Sequence, residues 1–156
     1  MVTISEAIAH HYPDRVVPYL DQAKDFIDIL MYEWKWYSHE KAGGVSNVNY
    51  ALIAASRRGV KIRCLLNAES MGHAITRINA RTINFLRPYG IECKFGQVGV
   101  VTHGKMVLID KRVLVVGSHN FTKCAFTRNQ EVSIIVDGVD EVKPYQAYFD
   151  TLWSQF

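Results

Sequence analysis

The sequence predicts an α+β fold of sandwich-like build, a mixed β-sheet with helices flanking both faces. Three observations predict it. Hydrophobic spacing alternates along the chain between a period of two and a period of 3.6. Up to Gly90 strand-like and helix-like segments take turns, whereas from Ile91 onward four strand candidates follow one another with little room for helices between most of them. The chain then closes on one long helical pattern, so a strand-rich block needs helices to cover it.

Taken in order, "PYLDQAK" reads as a short helix and "DFIDILMYEW" as a largely apolar strand. Ser46 is a candidate N-cap for "NVNYALIAASRR", where Val48, Leu52 and Ala55 make one face and Gly59 closes the helix. "VKIRCLL" is strand-like, and a second helix over 72–89 ends at Gly90. The four strand candidates are "IECKFGQ", "VVTHGKMVLI", "RVLVVGS" and "EVSIIVD". The last helix carries Val142, Phe149, Leu152, Trp153 and Phe156 on an apolar stripe.

At 156 residues the chain is long enough to bury a core but is of one-domain size, and a single domain over 1–156 is expected, with the first fifteen or so residues least defined. Hydrophobic residues make up 49% and charged residues 21%, the balance of an ordinary globular protein. No apolar run approaches a membrane span, and the start "MVTISEAIAHHYPD" lacks the basic-then-apolar order of a signal peptide, so the cytoplasm is the expected location. Cys64, Cys93 and Cys124 are scattered, without a Cys-x-x-Cys or Cys/His spacing, and neither a metal site nor a cofactor is expected. The net charge of +3 suits an anionic partner but falls short of a dedicated nucleic-acid surface.

The chemistry concentrates in "THGKMVLIDKRVLVVGSHNFTKCAFTRNQE", residues 102–131. In a strand, His103 and Lys105 would project from one side, with Gly104 between them allowing close approach of another group. A neutral imidazole beside a fixed ammonium suits work on an anion, one group attacking or moving protons and the other neutralising charge. Asp110 lies an odd number of positions from His103, at a strand end before a turn, and is expected to be structural or to support the site indirectly. Ser118 and Asn120 share a face after the next strand, and both can hydrogen-bond phosphate oxygens.

The pattern His103-x-Lys105-x4-Asp110-x6-Gly117-Ser118-x-Asn120 fixes six positions across eighteen and resembles the signature of the phospholipase D superfamily, HxKxxxxDxxxxxxGSxN. "ASRRGVKIRCLLN" and "RNQEVSIIV" resemble the family's segments before and after the motif, so the likeness runs along nearly the whole chain. Glu131 matches the acidic residue that orients the catalytic histidine in small bacterial nucleases of the family. Asn67 departs from it, standing where many relatives carry Asp. The resemblance implies metal-independent phosphodiester cleavage through a phosphohistidine. His103 would be the nucleophile, Glu131 would fix its tautomer, and Lys105 and Asn120, helped by Ser118, would hold the non-bridging oxygens. A second histidine is needed to protonate the leaving oxygen, and the chain has one copy of the motif. Two-fold pairing supplies it, so a homodimer with the active site at the interface is expected. His119 is expected to point away from the site and to be structural.

Tyr32, Trp34 and Trp36 alternate on the first predicted strand and would form either a base-stacking platform or a packing row. Arg57, Arg58, Lys61 and Arg63 would either track a phosphate backbone or sit as solvated charges. Lys123 and Arg128, close in sequence to the Ser-x-Asn turn, are better placed to extend a phosphate grip. His10, His11, His39 and His73 fall in no pattern. The expected function is a homodimeric, metal-independent endonuclease on DNA or RNA. The alternatives are a phospholipid hydrolase or transferase, and a nucleic-acid-binding or dimerisation module of weak or latent activity.

Overall fold

Ile27, Ile29 and Met31 point to one side of a strand and Leu30 to the other, and all four are buried, so β2 (Phe26–Met31) is covered on both faces. The structure, a computed structural model, describes residues 1–38 and 43–156; His39 lies outside the described residues. Around β2 stand β1 (Thr3–Glu6), β3 (Lys61–Leu66), β4 (Glu92–Phe95), β5 (Met106–Ile109), β6 (Val113–Gly117) and β7 (Ser133–Asp137). They form one sheet in the order β1-β7-β6-β5-β2-β3-β4. β2, β3 and β4 pair parallel because helices return the chain between them, and the remaining pairs are antiparallel. The alternation read in the first half and the strand run in the second thus meet in one mixed sheet.

Helices α1 (Tyr12–Gln22), α2 (Gly44–Arg57), α3 (Ala74–Leu86) and α4 (Lys123–Thr127) share one side, where the larger core gathers Val16, Leu20, Val48, Leu52, Ile83 and Phe126. Helix α5 (Val139–Ser154) covers the other face with Val142 and Phe149 against Leu30, Leu65, Met106, Leu108 and Leu114. Burying the Phe149 side chain contributes about 1.5–3 kcal/mol. Polar contacts fix the angle of α5: Arg63 grips Asp28 through two bonds of 2.6 and 2.7 Å and reaches Asp150 at 2.7 Å, while Gln146 donates to Asp28 at 2.7 Å. Lys94 donates to the carbonyls of Trp153 and Phe156 at 3.1 and 2.6 Å, satisfying the helix's C-terminal end.

Several boundaries differ from the sequence reading. Helix α1 begins at Tyr12 rather than Pro18, because Pro13 suits a first helical turn and Tyr12, Val16 and Leu20 form its buried stripe. Ser46 does not cap α2; the helix starts at Gly44, capped by Gly43, and Ser46 is buried inside it. β5 starts at Met106, so His103 and Gly104 precede the strand. β1 and α4 appear where no element was expected.

Candidate active site

β2 and β3 end at Met31 and Leu66, at the same end of the sheet where β5 starts and β6 stops, since Leu30 stands opposite Met106 and Met106 opposite Val116. The loops leaving this end carry His103, Lys105, Ser118, Asn120 and Glu131. Gly104 lets its segment lie on Leu30: a Cβ there would sit 2.8 Å from Leu30 Cδ2. Gly117 is more constrained, as a Cβ would stand 2.2 Å from Ser133 Oγ and 2.3 Å from the Val132 carbonyl. Asn67, fully buried, accepts from the Thr102 amide at 2.7 Å and so tethers the approach to His103.

His103 and Lys105 do come together, though through a loop rather than through strand alternation. Lys105 Nζ stands 3.3 and 3.2 Å from the two ring nitrogens of His103 and donates to the His103 carbonyl at 2.7 Å. Tyr32 completes the group, its ring centroid 5.1 Å from that of His103 and 5.3 Å from Lys105 Nζ. Desolvation lowers the Lys105 pKa, with the Glu131 charge acting the other way. His103 itself is exposed to solvent.

Across from this pair, Ser118 Oγ donates to Glu131, while Asn129 Nδ2 donates to the other carboxylate oxygen at 3.1 Å. The Val132 amide donates to Ser118 Oγ at 3.0 Å. Asn120 Oδ1 accepts from the Glu33 amide at 3.2 Å, leaving its Nδ2 available to a ligand. Within one chain the His103 ring hydrogen-bonds to Lys105, and no hydrogen bond joins it to Glu131. His119 turns inward and is 1% exposed.

Asp110 is not at this site. It stands beyond the other end of β5, about 13 Å of strand away. Its carboxylate accepts from the amides of Lys24, Asp25 and Phe26 at 3.0, 2.8 and 2.9 Å. Desolvation would raise its pKa, but the three amide bonds and Lys24 outweigh it and hold the carboxyl low. Arg57 and Arg58 lie at that far end too. Arg58 donates to the carbonyls of Leu20 and Ala23, and Arg57 rests 5.9 Å over the Tyr89 ring, so neither lines the site. Arg63 is consumed by Asp28 and Asp150.

The aromatic row also separates. Trp34 is fully buried, donating to Asn49 Oδ1 at 3.0 Å and meeting Phe121 edge to face at 4.9 Å, so it cannot stack on a base. Trp36 is half-buried and stacks on Phe85 at 5.0 Å. Lys123 is exposed on the rim of the site end, its amide donating to Tyr37 Oη at 2.8 Å, with Lys35 Nζ 5.4 Å over the Tyr37 ring. Arg128, also exposed, donates to Cys124 Sγ at 3.0 Å. His73 caps α3, accepting from the Ile75 amide at 3.3 Å. Sequence reasoning placed Tyr32 in the wrong company and missed Lys35 and Asn129; only Tyr32 carried a signal, as the residue directly after an apolar strand. Among the described residues, no three His, Cys, Asp or Glu side chains converge to hold a metal ion, and no helix is long and apolar enough to cross a membrane.

A histidine–lysine pair and a Ser-x-Asn turn thus stand at the same open end of a mixed sheet, as the resemblance to the phospholipase D superfamily implies. The family model described as cardiolipin synthase, PLD-like domain, matches residues 16–153, and the chain belongs to that family. It is 32% identical over 100 residues to the human mitochondrial cardiolipin hydrolase, a match spanning 64% of this chain and 38% of that protein. It is 32% identical over 107 residues to a phospholipase D of Rickettsia conorii, spanning 67% of this chain and 51% of that one. The chain therefore covers about half or less of these relatives. In fold it is similar to Nuc, a phospholipase D family member from Salmonella typhimurium, with a TM-score of 0.83 at 19% identity over 99% of this chain and 96% of that one. NucT from Helicobacter pylori gives 0.79 at 17% identity, over 99% and 97%.

Proposed function

We propose that this chain is a metal-independent phosphodiesterase, acting as a homodimeric endonuclease on DNA or RNA. The observation that carries the reading is the exposed His103 imidazole with the Lys105 ammonium 3.2 Å from its ring, over the end of the sheet where Ser118 and Asn120 stand. A ring nitrogen of His103 attacks phosphorus, forming a P–N bond as the P–O bond to the leaving group breaks. Lys105 and Asn120 Nδ2 offset charge on the non-bridging oxygens. A second histidine gives its proton to the leaving oxygen, then takes one from the water that hydrolyses the phosphohistidine. Glu131, held by Ser118 and Asn129, places its negative charge where it acts on the Lys105 ammonium and favours the charged form of that lysine.

The second histidine is His103 of another copy. The surface around the site supports this: Val98, Val100 and Val101 are 58%, 59% and 54% exposed, and Tyr148 on α5 is 57% exposed. A cavity of about 160 Å³, lined by Val100, Val101, Tyr148 and Leu152 together with the polar Gln97, Thr102 and Gln155, reaches from that surface to His103. Exposed apolar area of this kind needs a cover. Lys123, with Lys35 beside it on Tyr37, and Arg128 are proposed to hold phosphates away from the scissile bond. Lipid cleavage is the second reading, favoured by the names of the relatives at 30% identity or above, a cardiolipin hydrolase and a phospholipase D.

The test is cleavage of single-stranded DNA, duplex DNA, RNA and a phosphatidylcholine analogue in excess EDTA, wild type beside His103→Ala. Nucleic-acid cleavage that survives EDTA and falls at least about 10³-fold in the variant is expected. Cleavage of lipid alone transfers the assignment to the second reading. No cleavage by a folded dimer leaves a binding module.

A further inference from the structure

We propose that His119 is a positioning residue that clasps three separate segments into the catalytic geometry, an inference that rests on the phosphodiesterase reading for its kinetic consequence. His119 occupies the place the signature leaves unspecified, between Ser118 and Asn120. Its side chain lies in the core, 4.5 Å from the Tyr12 ring and 6.2 Å from the Phe126 ring by centroids. Nε2 is 2.8 Å from the Ala9 carbonyl and Nδ1 is 2.7 Å from Ser133 Oγ. A carbonyl only accepts, so Nε2 carries the proton. In the neutral ring Nδ1 is then the acceptor for the Ser133 hydroxyl. Both ring nitrogens are used, and a buried polar ring with both partners in place is fixed in orientation.

The partners are the informative part. Ala9 lies 110 residues away in the chain and holds φ at +50°, a left-handed conformation that an L-residue adopts at a cost. That conformation lets one residue serve both sides, since the Ala9 amide donates to the Glu131 carbonyl at 2.9 Å while its own carbonyl receives His119. Two residues earlier the Ala7 amide donates to the Ser133 carbonyl at 2.9 Å. A closed ring results: His119 to Ala9, Ala9 to Glu131, the Glu131 carboxylate to Ser118, and Ser118 back to His119 through the chain. A backbone strained at a place packed against functional loops marks where geometry is being enforced. The N-terminal segment, which contributes no side chain to the site, thereby sets the spacing between the Ser-x-Asn turn and the acidic loop.

The experiment uses the full chain with His119→Phe, which keeps ring volume and loses both bonds, His119→Gln, whose amide reaches the place of Nε2, and Ser133→Ala, which removes the Nδ1 partner alone. Two quantities are read: kcat and KM on a cleaved oligonucleotide, and amide hydrogen exchange at Ala9 and Ser118, with Leu30 and Val107 as core references. For His119→Phe, kcat falls at least tenfold with KM within about twofold, and exchange at Ala9 and Ser118 quickens while the references hold. His119→Gln recovers part of both losses. Wild-type kcat in His119→Phe overturns the proposal, whatever its melting temperature. Should His119→Phe fail to fold, Ser133→Ala and His119→Gln carry the same two readouts, and unchanged exchange and kcat in both overturn it. If the wild type cleaves nothing, the phosphodiesterase reading has failed, and local exchange at Ala9 and Ser118 alone decides the clasp.

Discussion

The two ends of the sheet use polar residues in opposite ways. At one end Asp110 accepts from three backbone amides and sits in a turn where both Asp110 and Lys111 take positive φ, of 52° and 55°. Nearby, Arg58 spends its guanidinium on the Leu20 and Ala23 carbonyls. At the other end His103 is exposed, Lys105 leans on it and is partly desolvated, and among the described residues no partner takes the amide donors of Asn120. Saturated polar groups hold structure; groups left with spare valence can take a ligand. One sequence signature therefore spans both ends, with its histidine and lysine at the end that leaves polar groups available and its aspartate at the anchoring end.

Lys105 separates the two ends most strongly. Lys105→Ala is expected to lower kcat about 10²–10³-fold, as for removal of a charge-stabilising donor, with the melting temperature barely moved. Because burial lowers the Lys105 pKa, its proton is lost below the ordinary lysine value of about 10.4. The alkaline limb of kcat/KM should begin below that pH and move upward in Lys105→Arg. A limb at the same pH in the arginine variant would assign it to another group.

Asp110 tests the anchoring end. Asp110→Ala leaves three amides without their acceptor and should cost about 1–3 kcal/mol in urea unfolding. The specific activity of the folded fraction should not change. Its folded pKa is depressed, so the unfolded chain binds its proton first as pH falls. The stabilisation is complete above the ordinary Asp value of about 3.9 and disappears as pH drops through the folded value. Wild type and variant should converge in stability only in that acid range. Loss of activity in a stably folded Asp110→Ala protein would place Asp110 in the chemistry.

Much of this division was legible in the sequence. The segments β2 and β3 read as apolar strands, α3 and the striped α5 as helices, and the signature marked His103, Lys105, Ser118 and Asn120 directly. The turn expected after Ile109 put Asp110 at a strand end, where it stands, whereas the odd spacing from His103 said nothing of faces because His103 precedes β5. What stayed hidden depends on distant partners. β1 has no apolar period, because it is an edge strand with Ile4 facing solvent, and only its pairing with β7 makes it a strand. Trp34 reads like its neighbours until Phe121 and Asn49 enclose it. The role of His119 needs Ala9, which no local pattern could bring to it.

Basic residues at the two ends of the sheet look alike in sequence and differ least in expected effect. Lys123 sits beyond Asn120 at the same end of the sheet as His103, exposed to solvent, while Arg58 is bound into the α1 to β2 connection. If the substrate is a polyanionic strand, each lysine on a phosphate releases about 0.7–0.9 of a counterion, so log K falls against log salt with that much slope per contact. Lys123→Ala should flatten the slope for a single-stranded oligonucleotide by about that amount and weaken binding a few-fold at 0.1 M salt. Hydrolysis of a small diester, too short to reach Lys123, should be unaffected. Arg58→Ala should leave the slope unchanged and cost about 1 kcal/mol of stability through two lost carbonyl contacts. Equal slopes in wild type and Lys123→Ala would mean that no phosphate crosses this rim. A flattened slope in Arg58→Ala would mean that the strand runs over the anchoring end as well, and the contrast between saturated and available charge would no longer locate the substrate.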